Sequence, residues 1–71
     1  MPHDMFKPGA NWTSVDGKRN VVIDRELSSD TDRLFIIRNL ATGRTSHIRI
    51  GGLTRRYRFT GHDPAYTPQE K

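Results

Sequence analysis

Seven arginines fall between residues 33 and 58, namely Arg33, Arg38, Arg44, Arg49, Arg55, Arg56 and Arg58, with no carboxylate among them. Arginine carries a planar fork of donors that matches phosphate or carboxylate oxygens two at a time. A block of this kind suits an anionic partner. Residues 1–32 sum to −2, residues 33–58 to +7 and residues 59–71 to −1, which makes up the chain's +4. The basicity therefore belongs to the second half, and arginine alone carries it there. The bland alternative is a solvated face whose charges keep an edge strand from aggregating.

Other residue types offer less chemistry. His47 sits between Ser46 and Ile48 and reads as an outward histidine on a strand, with contact to nucleic acid as its functional alternative. His3, His47 and His62 share no ligand spacing and there is no cysteine, so neither a structural zinc site nor a disulfide is expected. Ser28-Ser29 has no base beside it in sequence. Asp30 and Asp32 lack the glycine and terminal glutamate of a calcium loop and read as loop caps. Gly51-Gly52 precedes no predicted helix, so it is not a phosphate-binding loop. The chain is expected to be no enzyme and to need no metal or cofactor.

The elements that must position the arginines follow from size and pattern. Seventy-one residues make one domain at most, and a chain this short buries only ~60% of its unfolded surface. Good packing or self-association must replace the missing staple. No apolar run reaches the ~20 residues of a bilayer span. MPHDMFKPGANW has no apolar signal-peptide region, which points to the cytoplasm and makes the Asn11-Trp12-Thr13 sequon irrelevant. Residues 1–10 and 61–71 are rich in proline and poor in periodicity. They read as a flexible arm and a disordered tail around a domain of residues 11–60.

Strand signals dominate that domain. Asn11 to Val15 and Arg19 to Arg25 flank Asp16-Gly17, which suits a two-residue type I′ turn. Glu26 to Asp32 is a polar loop. Arg33 to Leu40 is apolar on both faces, with Leu34 and Ile36 on one and Phe35 and Ile37 on the other, which predicts a central strand. Ala41-Thr42-Gly43 turns the chain, with Gly43 as the left-handed residue. Arg44 to Ile50 alternates. After Gly51-Gly52, Leu53 to Arg56 is expected to make one 3-10 turn before a last strand from Tyr57 to Thr60.

Five short strands in this order, with the Asp16-Gly17 and Ala41-Thr42-Gly43 hairpins and Gly51 to Arg56 leading into Tyr57, resemble a small Src-homology-3-like (SH3-like) barrel. The order is also similar to short uncharacterised proteins of bacteriophages and prophages. The residues that carry this likeness are Trp12, Asn39 to Arg44 as Asn-x-x-Thr-Gly-Arg, and Leu53 with Arg56 and Tyr57. The resemblance covers residues 11–60. It implies an all-β fold and identifies no active site; such barrels host nucleic-acid binders, peptide binders and assembly parts alike, so the resemblance does not choose among them.

The expectation is therefore a small basic binding module that docks DNA or RNA through Arg44, Arg49, Arg55, Arg56, Arg58 and His47, in the manner of a phage or prophage accessory regulator. Trp12 and Tyr57 are the candidate rings for stacking on bases, with Trp12 equally readable as a core residue. Phe35 and Phe59 read as core. The alternative is a protein-interaction or assembly module, either a homo-oligomer or an inhibitor of a host protein, and the arginines would also suit an acidic protein partner. Proline-peptide and methyl-lysine recognition lack the clustered rings they need.

Overall fold

β-branched and aromatic residues set the architecture, because Val21 and Ile23 on one strand and Phe35 and Ile37 on the next stand at alternate positions and share one buried face. The structure, a computed structural model, describes residues 3–28, 33–63 and 65–66. A 3-10 helix (His3–Phe6) is followed by β1 (Ala10–Ser14), β2 (Asn20–Ser28), β3 (Arg33–Asn39), β4 (Thr45–Arg49), helix α1 (Ile50–Arg56) and β5 (Tyr57–His62). The five strands form one antiparallel sheet in the order β4-β3-β2-β1-β5. The fold is all-β apart from its two short helical turns. The sheet is open between β4 and β5, and α1 connects these two edge strands.

One face of the sheet carries the core: Trp12, Val21, Ile23, Phe35, Ile37 and Tyr57, closed by Leu53 from α1. Phe35 and Leu53 are fully buried, each worth about 1.5–3 kcal/mol. β3 is apolar on both faces, as its sequence predicts: Ile36 is buried opposite the core, beside Arg25 of β2 and His47 of β4 in the register. The β2–β3 register slips between Ile23 and Arg25, which leaves Asp24 as the extra residue of a bulge. Asp24 is only 3% exposed.

One of the two turns differs from the sequence expectation and the other matches it. In the β1–β2 connection the Gly17 N–H donates to the Ser14 carbonyl at 2.8 Å and only Gly17 has positive φ. The type I′ turn expected over Asp16-Gly17 is thus corrected to a four-residue loop, Val15 to Lys18, because the Ser14 and Asp16 side chains hold it. The Lys18 and Arg19 N–H groups both donate to Ser14 Oγ, at 3.1 and 2.9 Å. In the β3–β4 turn Gly43 does take the left-handed conformation, and Asn39 Oδ1 accepts from the Ala41 and Thr42 N–H groups.

The 3-10 turn expected over Leu53 to Arg56 is corrected to an α-helix that starts at Ile50 and includes Gly51 and Gly52. Glycine in a helix costs roughly 1 kcal/mol relative to alanine, so burial must compensate. Leu53 supplies it, Thr54 Oγ1 donates to the Ile50 carbonyl at 3.0 Å, and the Tyr57 N–H closes the end on the Leu53 carbonyl. Gly52 lies against Ile48, where a Cβ would sit 3.3 Å from Ile48 Cγ1.

The folded unit reaches beyond the expected 11–60 at both ends. Met5 and Phe6 pack on the core, and Ala10 is fully buried. The Gly9 N–H donates to the Ile23 carbonyl and the Gly9 carbonyl accepts from the Asp63 N–H, both at 2.9 Å. The Tyr66 hydroxyl donates to Asp24 Oδ1. The apolar content of Met5 and Phe6 and the one hydroxyl of Tyr66 outweigh the flanking prolines. Residues 1–2, 64 and 67–71 of the expected arm and tail, and Ser29, Asp30 and Asp32 of the acidic loop, lie outside the described residues.

Gly9 has φ of 93°, and a Cβ there would stand 2.5 Å from the Asp63 carbonyl oxygen. Gly9→Ala should therefore lower stability by about 2 kcal/mol or more in urea unfolding, since both the φ penalty and a backbone clash apply. Gly61→Ala, with open space around it and no positive φ, should stay within about 0.5 kcal/mol of the parent. Tyr66→Phe leaves the buried Asp24 carboxylate short of a donor and should cost about 1–3 kcal/mol. Burial, and then the bond to Asp24, raise the Tyr66 hydroxyl above its ordinary 10.0. Its contribution is complete below pH 10 and fades as pH rises through the folded-state value. Tyr66→Phe should abolish that alkaline loss.

Candidate nucleic-acid interface

Two of the seven arginines are engaged inside the fold. Arg33 Nε and Nη2 donate to the two oxygens of Glu26, at 2.6 and 3.1 Å, and its guanidinium lies 5.1 Å from the Phe6 ring centroid and 5.3 Å from that of Phe35. The hydrogen bond to Glu26 holds the group firmly in its charged form. Arg38 Nη1 donates to the Gly43 carbonyl at 2.9 Å. Its buried Nε is 3.9 Å from Asp24 Oδ1, too long for a hydrogen bond but close enough for charge to balance. These two shape the sheet and add little outward field.

The remaining five, Arg44, Arg49, Arg55, Arg56 and Arg58, are all exposed and make no ion pair among the described residues. Arg55 and Arg56 occupy the last turn of α1, where cations complement the carbonyl end of the helix. The Val15 N–H donates to the Arg56 carbonyl at 2.8 Å. That bond pins the β1–β2 loop against the helix end. Between them lies an open concavity of about 530 Å³, lined by Ser14, Val15, Asp16, Arg19, Arg55, Arg56 and Tyr57.

Three arginines and one aspartate are among the residues that line this hollow. The carboxylate is already satisfied, because Asp16 accepts from the Ser14 hydroxyl and, at 3.0 Å, from the Lys18 N–H. Those bonds, Ser14 first, hold Asp16 below its ordinary 3.8, with Arg19 adding to them. Arg19, Arg55 and Arg56 are thus left to face an incoming anion. Arg19 was not among the expected site residues. Its signal was present in the hairpin pattern, which sets Arg19 opposite Ser14, but the acidic balance of residues 1–32 hid it.

Arg58 follows one register step on, opposite Thr13 and on the face away from the core. The others lie elsewhere. His47 and Arg49 are on the outer face of β4, opposite Ile36 and Leu34, and Arg44 is at the β3–β4 turn. β4 and β5 stand at opposite ends of the strand order. The expected set thus divides into an α1–β5 group and a β4 group. Arg25, also unanticipated, joins the latter through its register position beside Ile36.

Neither candidate ring is free to stack. Trp12 is 2% exposed, stacked on Phe6 at 5.6 Å and edge-on to Phe59 at 5.8 Å. Tyr57 is 9% exposed within the core. Their assignment as stacking residues is therefore corrected to core residues, because both point to the sheet face that Leu53 and Phe35 close. Among the described residues no three His, Asp or Glu side chains gather as metal ligands, and no helix is long and apolar enough to cross a membrane.

Asp16→Asn removes the only carboxylate of the hollow and keeps a side-chain oxygen for the Lys18 N–H. The variant should elute from heparin at higher salt than the parent. The depressed Asp16 carboxyl stabilises the parent above its ordinary 3.8, and this is lost as pH falls through the lower folded-state value. Acid unfolding followed by circular dichroism should show that component missing in Asp16→Asn. The chain matches no protein-family model, no curated protein and no solved structure.

Proposed function

We propose that the protein is a small non-enzymatic binding module that docks nucleic acid through Arg19, Arg55, Arg56 and Arg58. The observation that carries this reading is the hollow lined by three arginines and by one aspartate whose carboxylate is already hydrogen-bonded. Guanidinium forks suit phosphate oxygens, and each neutralised phosphate releases counterions. A fold in which β1 lies between β2 and β5, with a helical turn before the last strand, supports the SH3-like barrel reading. That reading and the likeness to phage and prophage proteins fit an accessory regulator working in the cytoplasm.

A second reading is a protein-interaction module. It rests on the outer face of β2, β3 and β4, where Leu27, 42% exposed, and Leu34 lie in register beside Arg49, next to the row of Arg25, Ile36 and His47. An acidic protein surface with apolar side chains would suit that mixture.

Fluorescence anisotropy with labelled DNA and RNA oligonucleotides tests the first reading. With three phosphate contacts on a duplex, affinity should fall roughly 40-fold between 50 and 200 mM salt. Arg55→Glu with Arg56→Glu should abolish binding while circular dichroism stays unchanged. Arg44→Glu with Arg49→Glu should weaken it far less. Absence of binding at about 50 mM salt, where such contacts are strongest, defeats the reading. Loss through the β4 pair alone would move the site to the outer face.

A further inference from the structure

We infer that the ligand of the Arg19–Arg55–Arg56 hollow is the backbone of a double-stranded nucleic acid and not a single strand. This rests on the proposed function and names its ligand class. Binding a single strand without sequence preference depends on rings on which bases stack, at ~1–3 kcal/mol per base. All six aromatic side chains of the chain are described, and each is already packed. Phe35 is fully buried, Trp12 and Tyr57 nearly so. Phe6 stacks on Trp12 and on Phe35, at 5.6 and 5.5 Å, beneath the Arg33 guanidinium. Phe59 packs on the core with its ring against Trp12. Tyr66 is fixed by its hydroxyl to Asp24.

What remains for recognition is charge. The backbone frame of the hollow is held together, because the Val15–Arg56 backbone bond and the Ser14–Tyr57 strand register join the loop carrying Arg19 to the helix carrying Arg55 and Arg56. Cations borne on one such frame suit a backbone whose phosphates are already held in a regular array. A single strand would have to be ordered first, with no stacking to offset that entropy. A duplex also packs about one charge per 1.7 Å of axis and releases more counterions per contact than a single strand. The protein measures 32 × 28 × 26 Å. At 3.4 Å per base pair it covers at most about nine pairs. Duplex DNA and duplex RNA offer the same phosphate chemistry.

The test uses the full chain and four labelled probes of one sequence: a 16-base-pair DNA duplex, the RNA duplex, and each single strand, at about 50 mM salt. At least one duplex should bind ten-fold or more tighter than its single strand, with a salt slope of about −2 to −3. The tighter of the two duplexes identifies the source. Arg55→Gln with Arg56→Gln, a milder change than to glutamate, should erase the duplex preference while the thermal unfolding curve stays in place. If neither duplex exceeds its single strand ten-fold, the inference is overturned and nucleic-acid binding still stands. If none of the four binds, the proposed function falls and the inference with it.

Discussion

The ring of Trp12 lies stacked against Phe6 and edge-on to Phe59, and its indole N–H donates to the Met5 carbonyl at 2.9 Å. Four parts of the chain meet there: the first helical turn, β1, β5 and, through Phe6 on Phe35, β3. A domain of this size has little apolar surface to bury, so a side chain that joins so many elements weighs heavily. β1 runs between β2 and β5, and Trp12 is the residue that seats it on the core. Once β1 is fixed, Ser14 comes opposite Tyr57 and the loop carrying Arg19 meets the end of α1. The cationic hollow is thus a remote product of aromatic packing.

The sheet was legible because its signals are local. The alternation in β4, the doubly apolar β3 and the left-handed Gly43 all appear where the pattern puts them. The helix was not legible, because Gly51 and Gly52 oppose it and only tertiary burial of Leu53 overrides that preference. Phe6 and Tyr66 were hidden for a similar reason. Each is one useful side chain amid prolines and polar residues, and its worth depends on partners distant in sequence, Trp12 and Phe35 for one and Asp24 for the other.

The Asn-x-x-Thr-Gly-Arg segment and the Leu53–Tyr57 pair serve the scaffold. Asn39 and Gly43 make the β3–β4 turn, Thr42 Oγ1 accepts from the Arg44 N–H at 3.2 Å, and Leu53 and Tyr57 fill the core. A pattern of this kind reports a fold and leaves function to the side chains between. The arginine block is likewise not one thing. Arg33 and Arg38 hold strands together, and Arg55 and Arg56 end a helix while facing a hollow. Counting charge along the chain could not separate these roles, because pairing with Glu26 and Asp24 is a property of the sheet register.

Gly9 sits within backbone hydrogen-bond distance of both Ile23 and Asp63, and His62 Nε2 lies 3.0 Å from the Pro8 carbonyl oxygen. The segment that leads into β1 and the segment that follows β5 thus run side by side. Ala10 pairs with His62 at one end of β1, and Ser14 pairs with Tyr57 at the other, about 13 Å away. A tether fused after Tyr66 would emerge from the far end and leave the cationic hollow unobstructed. A domain carried in this way would hold its arginines outward from whatever bears it.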